Sequence, residues 1–118
     1  MKASHLEQTI ANALLRDPEL EPLKRVVDLT EVEVTDRELT GPGFLTDFEK
    51  CPALKLFRDG TSLRWGNVGV RLNAEKLDTG YVVYVDDGYL TAIEGYTYGE
   101  DWPETIDAME VYELKLGP

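Results

Sequence analysis

A chain of 118 residues, 42% of them apolar, is long enough to bury one core without staples and too mixed in composition to be disordered. Its 23 acidic against 12 basic side chains give a net charge of −11, which disfavours nucleic acid and anionic membrane as partners. A single cysteine, Cys51, rules out an internal disulfide, and no apolar run approaches the ~18 residues of a membrane span. The N-terminus carries no pattern of a signal peptide, so the expected location is the cytoplasm.

In chain order, Ser4 and Glu7 have the spacing of a capping box, and Leu6, Ile10, Ala13 and Leu14 fall on one helical face. Asp17-Pro18 stops the pattern, so a helix is predicted over about Ser4–Arg16. The β-branched stretch Val26–Val34 reads as a strand with a conflict. Val27 and Leu29 share one face and Val32 and Val34 the other, which calls for a bulge or bend near Thr30-Glu31. Gly41-Pro42-Gly43 is a turn leading to Phe44, Leu45 and Phe48. After the break at Cys51-Pro52, Leu54, Leu56 and Phe57 predict a short strand and Asp59-Gly60 a turn.

The second half reads as antiparallel sheet. Leu63–Leu72 is a strand loosened by Gly66 and Gly69. Tyr81–Val85 is apolar and aromatic throughout and predicts a central strand. Asp87-Gly88 is a two-residue hairpin signal that returns Tyr89–Glu94 as its partner. Trp102-Pro103-Glu104-Thr105 predicts a helical turn, and Met109–Leu116 a closing strand. The expected fold is therefore one α+β domain over residues 1–118: an N-terminal helix packed on an antiparallel or mixed sheet of about five to six strands.

The residues that carry catalysis elsewhere are scarce. One histidine (His5) and one cysteine exclude a zinc site of ordinary composition, and neither Ser4 nor Ser62 sits in a nucleophile elbow. No glycine-rich phosphate loop is present, and Pro42 deprives the Gly41–Gly43 turn of an N–H. Carboxylate pairs among Asp86, Glu94, Glu100 and Asp101 are the one catalytic option, for sugar hydrolysis or metal binding. In a chain so rich in acids, such pairs arise readily as solvated surface. The expectation is a protein without cofactor or metal that binds rather than catalyses.

Charge is distributed unevenly. Residues 86–118 hold nine acids and one base, a net of −8, whereas residues 1–85 hold 14 acids and 11 bases, a net of −3. Within the acidic third, Glu94–Pro103 sets Tyr96, Tyr98 and Trp102 among carboxylates. Tyrosine and tryptophan are rigid, amphipathic anchors at interfaces, and acids beside them attract lysine and arginine. The same rings also serve to cap a sheet, and Trp102 is expected in the core. The candidate partner-binding residues are Asp86, Asp87, Tyr89, Glu94, Tyr96, Tyr98, Glu100, Asp101 and Glu104.

Two segments, Arg37-Glu38-Leu39-Thr40-Gly41-Pro42-Gly43-Phe44-Leu45-Thr46 and, downstream, Asp87-Gly88-Tyr89-Leu90 with Glu94-Gly95-Tyr96-Thr97-Tyr98-Gly99-Glu100-Asp101-Trp102-Pro103, resemble a group of short uncharacterised bacterial proteins. The likeness spans roughly residues 32 to 112 and implies a small intracellular bacterial protein. In size, acidity and mixed sheet the chain is also similar in type to the immunity proteins of bacterial toxin systems, many of which neutralise basic nucleases. The resulting expectation is an immunity-type inhibitor that occludes a basic toxin or effector, secreted or delivered by contact, while itself a monomer or weak dimer. The alternatives are a small enzyme using paired carboxylates and a self-associating adaptor.

Overall fold

The structure, a computed structural model, describes residues 1–113. Helix α1 (His5–Leu15) is followed by six strands: β1 (Val34–Leu39), β2 (Gly43–Phe48), β3 (Leu63–Leu72), β4 (Leu77–Asp86), β5 (Tyr89–Thr97) and β6 (Met109–Glu113). All neighbours are antiparallel, in the order β1-β2-β5-β4-β3-β6. The α+β architecture is as expected, with one continuous six-stranded sheet. Of the predicted closing strand, residues beyond Glu113 lie outside the described part. Among the described residues no helix is long and apolar enough to cross a membrane.

The helix forms where its signals place it. The Ser4 side chain accepts from the Glu7 N–H, and the Glu7 carboxylate accepts from the Ser4 N–H in return. Leu6, Ile10, Ala11, Leu14 and Leu15 make the buried stripe, and Ala13 packs at its margin.

Glu7 is itself buried, at 1% exposure. Its Oε1 accepts from Arg37 Nη2 at 2.6 Å and its Oε2 from Arg37 Nε at 3.1 Å, and the Thr46 hydroxyl donates to it as well. Arg37 and Thr46 are cross-strand partners on β1 and β2, so a single carboxylate joins the first turn of the helix to the edge of the sheet. At the helix's other end the Trp65 indole donates to Asp17 Oδ2 at 2.7 Å. The Arg25 guanidinium donates there to the carbonyls of Leu15, Asp17 and Leu20.

Three segments depart from the sequence reading. Val26–Val32 is not a strand. Its backbone is instead clamped by amides one helical turn apart on α1: Asn12 accepts from the Val27 N–H, and Gln8 donates to the Val27 carbonyl and accepts from the Leu29 N–H. A turn at Thr30-Glu31, held by Asp28, reverses the side-chain parity, so Val27, Leu29, Val32 and Val34 are all buried. The bend was foreseeable from the conflict; the helix as hydrogen-bonding partner was not. The strand proper begins at Val34. Leu54 belongs to a 3-10 turn (Pro52–Leu54), and Leu56 and Phe57 follow without strand structure, both donating to the Gly88 carbonyl. Trp102–Thr105 forms no helical turn. Trp102 is half-buried against the rings of Phe44 and Tyr81, at centroid distances of 5.1 and 6.4 Å, in keeping with its expected place at the core.

Two stability predictions follow from buried polar groups. Arg37→Ala leaves the Glu7 carboxylate buried without its cation and lowers the unfolding free energy by roughly 3–5 kcal/mol; pairing Glu7→Gln with Arg37→Met restores much of the loss, as read from urea midpoints. Burial also pushes the Tyr81 phenol well above its ordinary value, although its hydroxyl lies 2.8 Å from that of Thr79. A raised acid favours the neutral phenol in the folded state. Stability should therefore hold below about pH 10, where the unfolded phenol begins to ionise, and fall as the pH rises beyond it.

Candidate partner-binding surface

Cross-strand partners share a face of a sheet, so the register sorts every strand residue. Phe44, Tyr81, Val83, Ile93 and Leu72 lie on the face that α1 and the 17–32 segment cover. Their neighbours in sequence lie on the other face, where side chains are half-buried or exposed apart from Ala92, which is buried. There the register sets out four transverse rows. The first is Asp36–Asp47–Ala92–Tyr84–Arg64 and the second Glu38–Leu45–Glu94–Val82. The third is Gly43–Tyr96–Gly80–Gly69–Tyr112, and Asp78–Arg71–Glu110 closes the face.

The third row explains Gly69, which the sequence alone marks only as a weak point in a strand, and Gly80, which sequence reasoning passed over. A Cβ at Gly80 would lie 2.6 Å from the Tyr96 hydroxyl and 2.8 Å from that of Tyr98, and one at Gly69 would lie 2.6 Å from the Tyr112 ring. Tyr96 on β5 lies over Gly80 of β4, and Tyr112 on β6 over Gly69 of β3, so each ring has backbone instead of a side chain beneath it. Tyr96 and Tyr98 meet edge to face at 5.6 Å. Burial, with Tyr98 close by, raises the Tyr96 phenol, and burial together with a hydrogen bond to Asp78 raises that of Tyr112. Tyr98 stays 59% exposed.

The nine candidate residues divide between three places. Asp86, Asp87 and Tyr89 sit at the β4–β5 hairpin tip and are engaged by the chain itself. Asp86 accepts from the Ser62 hydroxyl and Asp87 from the Gly60 N–H, while the ammonium groups of Lys50 and Lys55 lie 4.5 and 4.8 Å from the centre of the Tyr89 ring. The turn has φ of +48° at Asp87 and +86° at Gly88, as a tight hairpin of this hand requires. Glu94 lies mid-strand on the open face and accepts from the Tyr84 hydroxyl at 3.1 Å. Tyr96, Tyr98, Glu100, Asp101 and Glu104 gather at the opposite end of β5, roughly 27 Å from the hairpin tip at ~3.4 Å per residue. One contiguous patch of nine does not form.

The surface also contains residues that sequence reasoning passed over. Asp36 and Asp47 stand directly opposite each other on β1 and β2, with Glu38 one row further on. None of the three carboxylates has a hydrogen bond or ion pair among the described residues. The cations nearest in register, Arg64 and Arg71, are occupied, the first over the Tyr84 ring at 5.3 Å and the second with Asp78 and Glu110. The alternation of Asp36/Glu38 and Leu45/Asp47 is a period-two signal. A strand reading of Val26–Val34 hides it, because that reading ends where the strand itself begins.

Among the described residues no cluster of three or more His, Cys, Asp or Glu side chains is placed to hold a metal ion. No protein-family model, curated protein or solved structure matches the chain.

Two glycines separate surface from scaffold. In Gly80→Ala the obstacle is the movable end of two surface tyrosines, so the expected cost is under about 1 kcal/mol, with a change in tyrosine fluorescence as the rings lift. In Gly88→Ala the new methyl meets the Phe57 carbonyl oxygen at 2.4 Å in a left-handed backbone, and the expected loss exceeds about 1 kcal/mol without relief by side-chain movement. Thermal melts of the two variants check the contrast.

Proposed function

We propose that this protein is a binding module of the immunity type, which occludes a basic toxin or effector by covering it with the open face of its sheet and the adjoining Tyr98–Glu104 loop. The observation that carries the reading is the open face itself: tyrosine rings and short aliphatic side chains interspersed with six carboxylates (Asp36, Glu38, Asp47, Asp78, Glu94, Glu110) against two guanidinium groups (Arg64, Arg71). Strands ~4.8 Å apart and ~3.3 Å per residue give this face an area on the order of 600–800 Å², about one partner's share of a standard protein interface. The molecule is a slab of 40 × 40 × 20 Å, flat enough to lie against an active-site mouth.

Electrostatics supports a basic partner over a second copy. Two faces of net negative charge repel each other, whereas a cationic surface is drawn in by the same field. The bordering acids set the rate of capture, and the tyrosines set how long the complex lasts. A cytoplasmic site of action and a bacterial origin belong to the same proposal and rest on the resemblance of the two sequence motifs.

The test is affinity capture with the tagged protein from cells that express it naturally, followed by reconstitution from purified components. The expected partner is basic, forms a one-to-one complex, loses its own activity in it, and associates at least about tenfold more slowly when salt is raised from low to physiological levels and above. An acidic partner, or an association rate indifferent to salt, overturns the reading.

A further inference from the structure

Within that reading, on which this inference rests, we propose that the docking footprint is the β1–β2–β5 half of the open face, and that its occupant is an arginine- or lysine-bearing segment of the partner protein whose cationic side chain seats between Asp36 and Asp47. The sequence directs attention to the C-terminal third; the register directs it elsewhere.

Three observations carry the inference. Asp36 and Asp47 are a directly opposed cross-strand pair, the position at which like charges destabilise a sheet. Glu38 and Glu94 flank them across Leu45, extending one negative border around an apolar floor of Leu45, Ala92 and Val82. The other half of the same face is neutralised internally, since Arg71 bonds Asp78 and Glu110, Lys76 also reaches Glu110, and Arg64 covers Tyr84. Among the described residues, the cations of this face thus stand on one half and none stands on the other.

The folded state gains nothing from Asp36 opposite Asp47. A partner's guanidinium placed between them does gain, because it removes the repulsion and adds two charge-assisted hydrogen bonds at once. Arginine suits the site better than lysine, since its planar fork can address two carboxylates together. The half-buried Leu45 and Val82 of the aliphatic floor would take the stem of the same side chain, as long cationic side chains lay their methylenes on apolar surface. Met1 and Lys2 pair with the main chain of the β1 edge at Glu33-Val34 and take the Arg37 guanidinium on the covered side, and among the described residues no backbone bond of theirs reaches Asp36–Leu39, where the partner's main chain would lie.

The experiment is an amide-resolved NMR titration of the full chain with a short arginine-rich peptide, run beside thermal melts. It is repeated on Asp36→Asn/Asp47→Asn and on a charge-matched control, Glu19→Gln/Glu21→Gln, whose exposed side chains lie beyond the helix. The expected result has three parts. Shifts centre on residues 36–38, 45–47 and 92–94; the Asp36/Asp47 variant binds at least about tenfold more weakly than the control; and the same variant melts roughly 1–5 °C higher because the repulsion is gone. Peptide binding centred on Tyr98–Glu104, or equal weakening by both variants, overturns this footprint and leaves the basic-partner reading standing. A variant that melts lower than the parent also overturns it, because the pair would then be supporting the fold. No salt-dependent binding of the peptide anywhere on the chain overturns the footprint and the proposed function together.

Discussion

The Glu7 carboxylate is the joint on which this fold turns. A lone carboxylate at 1% exposure is costly to bury, and this one is matched by the Arg37 guanidinium, the Thr46 hydroxyl and the Ser4 N–H. Each partner belongs to a different element. The contact therefore fixes where the helix begins, which edge of the sheet it begins over, and the register of β1 on β2. With the Asp17–Trp65 contact near the far end, the helix is pinned at both ends, from β1–β2 to β3. Buried apolar surface supplies the driving force for packing, and these directional contacts select one arrangement from the many that such a force permits.

Once the helix is so placed, the two faces of the sheet have different fates. One is closed by α1 and by the 17–32 segment, whose backbone hangs from Gln8 and Asn12 in place of a seventh strand. The other stays open over all six strands. An open face needs protection from random association, and charge serves that purpose. Here charge is arranged rather than scattered. Cations sit on the β3–β6 side, where they bridge strands, and carboxylates with no partner among the described residues sit on the β1–β2 side. Tyrosines lying over glycines hold aromatic area between the two.

This division gives the proposed binding role its physical content. Salt bridges at a surface contribute little to stability, so their presence on one half does not matter much to folding. Their absence from the other half matters more, because opposed aspartates cost the free protein something that a cationic partner can return. The hairpin tip shows the contrast. Asp86 and Asp87 are as acidic in sequence as any residues of the chain, yet both are tied to Ser62 and Gly60, and Tyr89 carries two of the protein's own ammonium groups.

Local signals determined much by themselves. The capping box and the apolar stripe from Leu6 to Leu14 set the helix, Asp87-Gly88 set the central hairpin, and the unbroken run at Tyr81–Val85 set a strand in the middle of the sheet. In each case the deciding forces act within a few residues along the chain: an N-cap, a turn with positive φ, a period of side-chain burial. Tertiary structure alone decided the rest. Val26–Val32 has the composition of a strand but finds a helix beside it instead of a sheet edge, so its N–H and C=O groups pair with side-chain amides. Asp36 and Asp47 are eleven positions apart across a turn, and nothing in either local sequence says they will face each other. The nine acidic and aromatic residues that cluster in the C-terminal third separate because an extended strand of nine residues carries its ends ~27 Å apart. Charge density along a chain is a property of sequence, whereas charge density on a surface depends on register, and register here is fixed by contacts between residues distant in the chain, Glu7 and Arg37 first among them.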